Sequence, residues 1–167
     1  MSKIVYLLLL CINILIVADV TTIQNDFVKI VVSPDGFDQG RFSIETTGGD
    51  PSRQSDDNSP LIYGRPKPWT SFTTIAVDDT FYGFGTQTIK RAGKKAIYGQ
   101  IVDHSKTDTM VTHTSQLKDI EARQQLSFFR NPLSNVEDAV LIEYILTNQS
   151  QVTKNIGLRI MMDTMLG

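Results

Sequence analysis

Cysteine is almost absent from the sequence. The 167 residues contain one, Cys11, so no intramolecular disulfide can form and a small cross-linked scaffold is excluded. A chain without cross-links must hold itself by core burial, which suits a domain above about 100 residues. Basic excess is absent too. Lys and Arg total 16 against 18 Asp and Glu, a formal net charge of -2, so no surplus of cations is available to neutralise phosphates. Nucleic acid is therefore not an expected partner. Helical periodicity is missing: no segment of ten or more residues places apolar side chains at i, i+3, i+4 and i+7 between capping residues. The sequence also lacks an internal repeat, a phosphate-cradling glycine loop, a Ser, His and Asp arrangement and a cluster of zinc ligands.

The longest apolar stretch opens the chain. Lys3 precedes a run from Ile4 to Leu10 that continues through Cys11, Ile12, Ile14, Leu15, Ile16 and Val17. It is shorter than the roughly 20 residues of a stable membrane-spanning helix and ends at a small residue, Ala18. This is the plan of a signal peptide over residues 1–18. Its removal would take away Lys3 and the cysteine, leaving 15 cations against 18 acids. An uncleaved N-terminal anchor is the alternative, because Ile16 is bulky where a small residue is preferred. Both readings export the chain, to the medium or the cell surface, and confine membrane contact to this segment.

A short linker is expected at 19–26 and a β-domain over 27–167. Phe27, Ile30 and Val32 begin a strand that ends at the turn Ser33-Pro34-Asp35-Gly36, and Phe42 and Ile44 face inward on the next. Residues 48–60 are polar and rich in turn formers, the composition of a surface loop. Ser71 to Val77 and Phe81 to Gly85, joined by Asp78-Asp79-Thr80, read as a hairpin. Arg91 to Lys95 is a basic turn, followed by strands at 97–102 and 110–117.

The clearest pattern lies between Ile120 and Met162. Ile120, Ala122, Gln124, Leu126 and Phe128 alternate with more polar neighbours, the period of a half-buried strand. After the turn Asn131 to Asn135, Val140, Ile142, Tyr144 and Leu146 form a second face, with Leu141 and Ile145 apolar on the other side, as in a central strand covered on both sides. Ile156, Leu158, Ile160 and Met162 give a third run, expected to continue the antiparallel meander as a core strand. About ten short strands with frequent turns define an all-β, antiparallel sandwich. No closing strand follows Met162, so the sandwich is expected to be unfinished at its C-terminal side, by roughly 80 to 120 residues of a larger domain.

Several of these segments carry a resemblance. Gly40 to Ile44 with Thr46 to Pro51, Asp56 to Asn58, Leu61 to Gly64, Pro68 to Ile75, Arg130 to Leu133 and Gly157 to Gly167 resemble a domain of large bacterial cell-surface proteins that often carry fibronectin type III modules. That domain is similar to the galactose-mutarotase-like β-supersandwich. The resemblance implies the fold and an exported, non-catalytic structural or ligand-presenting role, and no reaction. Phe81 to Gly85 is also similar to a segment in the N-terminal sandwich of some α-glucosidases, where the sandwich supports a separate catalytic barrel that this chain is too short to contain. The rival expectation is a carbohydrate-active domain, either mutarotase-like or accessory to a glycosidase.

Candidate site residues are few, and each has a structural alternative. Trp69, the only tryptophan, with Tyr63 and Tyr82 could line a sugar-stacking platform, although aromatic residues of a sandwich also serve as core. Asp50, Asp56 and Asp57 offer hard oxygen ligands suited to calcium, the one possible cofactor, but their spacing fits no EF-hand loop and they are expected to form a solvated polar turn. His104 and His113 are expected at exposed strand positions, not in an acid/base pair. Asp163 ends an apolar strand and is expected to be buried and paired, with Arg159 as the nearest cation in sequence. Expected partners are carbohydrate or other modules of the same surface protein.

Overall fold

The structure, a computed structural model, describes residues 20–34, 36–88 and 96–165; the expected signal peptide and the basic turn 91–95 lie outside them. The described residues form twelve strands and one short 3-10 turn, Gln54–Asp56. The strands are β1 (Thr21–Gln24), β2 (Val28–Val32), β3 (Phe42–Thr46), β4 (Pro60–Ile62), β5 (Phe72–Val77), β6 (Thr80–Gly83), β7 (Ile97–Tyr98), β8 (Gln100–Lys106), β9 (Met110–Leu117), β10 (Ile120–Phe129), β11 (Ala139–Asn148) and β12 (Ile156–Met161). They build three four-stranded sheets, ordered β1-β2-β3-β4, β12-β5-β6-β7 and β11-β10-β9-β8. Every pairing is antiparallel except β6 with β7. Among the described residues no helix is long and apolar enough to cross a membrane.

The third sheet is the long layer, and the other two share its opposite face. Even positions of β10 point inward: Ile120, Ala122, Gln124 and Leu126 are each 0% exposed. The registers place Leu117 and Leu146 beside this row at one end and Val111 and Ile142 at the other. The Val111 and Ile142 end packs with Ile23, Ile30, Val32, Phe42, Ile44 and Ile62 of the first sheet; the Leu117 and Leu146 end packs with Ile75, Val77 and Phe84 from the second. Removing such a side chain from water contributes about 1.5 to 3 kcal/mol, so the two clusters dominate the stabilisation. Tight turns enforce the registers. Lys118 (φ 56°) between β9 and β10 and Asp78 (φ 52°) between β5 and β6 occupy the left-handed region that two-residue hairpin turns need.

The expected hairpin of β5 and β6 is present, and of the expected meander β10 pairs antiparallel with β11, with β9 on the other side of β10. Three expectations are corrected. Residues 19–26 are not only linker, since Thr21–Gln24 is β1 and Ile23 is buried in the first cluster. β11 is not central but the edge of the long sheet, leaving Leu141 and Ile145 38% and 45% exposed. β12 is not a core strand of the meander. It crosses to the other layer, pairs with β5 from Ile156↔Val77 to Met161↔Phe72, and stays largely exposed because nothing flanks its second edge among the described residues.

The chain beyond β12 then reaches the first sheet. Thr164 bridges Ile62, Tyr63 N–H donates to Asp163 O at 2.9 Å, and Met165 N–H to Leu61 O at 3.0 Å. Residues 156–165 thus form a common border strand that joins the two smaller sheets into one layer. Asp78 secures its approach: its carboxylate accepts from Asn155 N–H at 3.1 Å and from Lys154 Nζ at 3.0 Å. Those bonds hold the Asp78 carboxyl below its ordinary pKa, the Asn155 amide contributing most.

Candidate functional site

Between the two apolar clusters the sandwich interior turns polar. His113, Gln124 and Tyr144 lie in one row across β9, β10 and β11, all on the inward face. The Tyr144 hydroxyl meets Gln124 Nε2 at 2.6 Å and, across the layers, Thr73 Oγ1 at 2.6 Å. Burial raises its pKa, as expected for a phenol removed from water. From the facing layer comes Arg41, 1% exposed, with Nη1 donating to Phe84 O at 3.2 Å and Nη2 to Tyr98 Oη at 3.5 Å. Its guanidinium also sits 4.3 Å from the centre of the Phe72 ring. Desolvation lowers the Arg41 pKa, opposed by Tyr98 and Asp38, but an arginine remains charged at any physiological pH.

The segment Phe81 to Gly85 has a structural role here. Phe84 is fully buried, packs edge-on against Tyr144 at 5.7 Å and offers its carbonyl to Arg41. Gly85, at φ 85°, brings the chain so close to the Gln39 carbonyl that a Cβ would lie 1.9 Å from the oxygen.

The histidines differ from expectation. His113 is 0% exposed, and its ring centre is 4.4 Å from that of His104 on β8, which is half-buried and shares a 3.2 Å hydrogen bond with Thr21 Oγ1. Burial, and the neighbouring His104, push the His113 pKa down to about 3. This residue is neutral in the fold. The signal for its burial was the inward row itself, since β9 pairs His113 with Gln124, which shares the parity of Leu126.

The structure joins two of the three candidate aromatics. Tyr63 and Trp69 meet edge to face at 5.8 Å, and Trp69 with Thr70, Met161, Met162 and Asp163 lines a shallow cleft of about 320 Å3. Tyr82 is elsewhere, packed on the second core cluster. Asp163 is exposed, not buried, and serves through its backbone carbonyl.

Asp50 and Asp56 share the wall of a second cleft of about 470 Å3, closed on the far side by Val136 and Asp138 from the β10–β11 loop. Asp57 is not part of that wall; its carboxylate lies against Gly48. Asp50 accepts from Ser52 N–H at 2.9 Å and from Ser52 Oγ at 2.6 Å, an Asx turn whose hydroxyl bond, first among the causes, holds its pKa low. Among the described residues no group of three or more His, Cys, Asp or Glu side chains is placed to hold a metal.

The fold defines the class, an all-β antiparallel sandwich whose one layer is split into two sheets. Comparison with protein-family models, with curated proteins and with solved structures finds no match to this chain.

Proposed function

We propose that this chain is a non-catalytic, ligand-presenting β-sandwich of an exported cell-surface protein. The observation that carries the reading is the burial of its reactive groups. His113, Gln124 and Arg41 are at most 1% exposed, so a substrate could reach them only by displacing packed side chains. The exterior, by contrast, presents the Tyr63 and Trp69 pair beside an open cleft, an arrangement suited to stacking on an apolar face such as that of a sugar ring. The apolar N-terminal segment supports export.

Because Trp69 is the only tryptophan, its fluorescence reports this one cleft. Titration with a panel of neutral oligosaccharides should shift the emission for at least one of them, and Tyr63→Ala should abolish the shift. Polarimetry on freshly dissolved galactose should show no acceleration of mutarotation. Acceleration lost in His113→Gln would replace this reading by the mutarotase-like one.

A further inference from the structure

We infer that the open side of the sandwich is a self-recognition surface, and that two copies of the chain close on each other by exchanging edge strands, β11 of each pairing with β12 of the other. Both strands border the same side of the molecule, one in each layer, and neither has a second neighbour among the described residues. Natural sheets guard such edges with lysine, proline or several charges. These two carry one charge apiece, Glu143 in β11 and Arg159 in β12, and no lysine or proline. Both charged side chains are exposed and of opposite sign.

The geometry within one chain fixes how two copies can meet. β11 runs from Ile142 in the first cluster to Leu146 in the second, and β12 runs back from Ile156 beside Val77 toward the Thr164 bridge at Ile62, so the two edges are antiparallel. The bond from Tyr144 to Thr73 sets their level, because Thr73 pairs with Ile160 and the next inward residue of β5, Ile75, with Leu158. A two-fold axis parallel to the strands exchanges the layers while keeping level and direction. It therefore places β11 antiparallel to the partner copy's β12, with Tyr144 opposite either Leu158 or Ile160.

Charge selects the first of these registers. Tyr144 opposite Leu158 puts Glu143 against Arg159 on the outer face and Ile142 against Ile160 on the inner one, continuing each core into the next. The other register leaves both charges facing apolar side chains. Because the axis consumes both edges of both copies, assembly stops at two, whereas a head-to-tail contact would propagate.

Sedimentation of the purified full chain carrying Cys11→Ser should give a dimer at micromolar concentration. Glu143→Arg and Arg159→Glu should each raise the dissociation constant at least tenfold, and the double reversal should restore it, which separates a lost contact from a misfolded variant. Opposed residues of paired strands lie within disulfide range. Glu143→Cys mixed with Arg159→Cys should therefore form a covalent dimer under mild oxidation that neither variant forms alone. A monomer at about 100 µM, whose edges then await some other occupant, would overturn the inference. So would self-linking of Glu143→Cys, which would mark β11 against β11, or open-ended polymers.

Discussion

Acidification should destabilise this protein well above the pH at which carboxylates titrate, and His113 is the cause. An imidazole in the unfolded chain titrates at 6.5, whereas in the fold burial holds His113 down to about 3. Between those values the unfolded state binds a proton that the native state refuses. Stability therefore falls as pH drops below 6.5 and continues falling until about 3. One pH unit inside the window is worth about 1.4 kcal/mol, so the two units down to pH 4.5 remove roughly 3 kcal/mol and the whole window about 5. That is a large share of the 5 to 15 kcal/mol typical of a folded domain.

The window above about pH 4.5 is free of the perturbed carboxylates. Burial alone would raise Glu45, but hydrogen bonds from Arg65 and Lys29 outweigh it and hold its carboxyl below 4.5, so its contribution is lost only at lower pH. Urea unfolding of wild type and His113→Gln, at fixed protein concentration and at pH values from about 7.5 to about 4.5, isolates the effect. The wild-type midpoint should fall steadily below pH 6.5 while that of His113→Gln stays level. A level wild-type curve, or an equal slope in the variant, would refute the burial of a neutral imidazole.

Two further outcomes are expected. Gly85→Ala combines a positive φ with a Cβ 1.9 Å from a backbone oxygen, so it should cost at least about 2 kcal/mol, read as a lowered Tm with unchanged far-ultraviolet dichroism below the transition. Millimolar calcium should leave Tm unchanged; a rise that disappears in Asp56→Ala with Asp57→Ala would make the loop after β3 a cation site.

Alternation in the sequence identifies which side of a strand faces inward, and for β10, β11 and the β5–β6 hairpin that reading matches the structure. It carries no information about which strand lies alongside. β11 and β12 have matched apolar patterns and only seven residues between them, the appearance of a hairpin, yet β12 pairs with β5, whose sequence lies some eighty positions earlier. What decides the crossing is held in distant residues: the carboxylate of Asp78 gripping Lys154 and Asn155, and the Ile62 backbone waiting at the far end. The polar interior was hidden for a related reason. His113 and Arg41 read singly as surface residues, and Gln124, although already on the inward row of β10, gives no sign of its neighbours; only the strand registers bring His113 and Gln124 into one row opposite Arg41. Trp69 and Tyr63, six positions apart on one short connector, were the easiest pair to join from sequence, and Tyr82, two strands further on, the hardest.

The border strand also sets the order in which the molecule can fold. β1 to β4 and β8 to β11 are each built from neighbours in sequence, so their pairings close short loops and can form early. The contacts Ile156↔Val77 and Thr164↔Ile62 instead close loops of about eighty and one hundred residues. Until residues 156–165 have been synthesised and docked, β5 lacks one neighbour and the two small sheets have no shared strand. The last step of folding then completes the split layer over a core that β10 already spans from Ile120 to Leu126, so mutations in β12 should speed unfolding far more than they slow refolding.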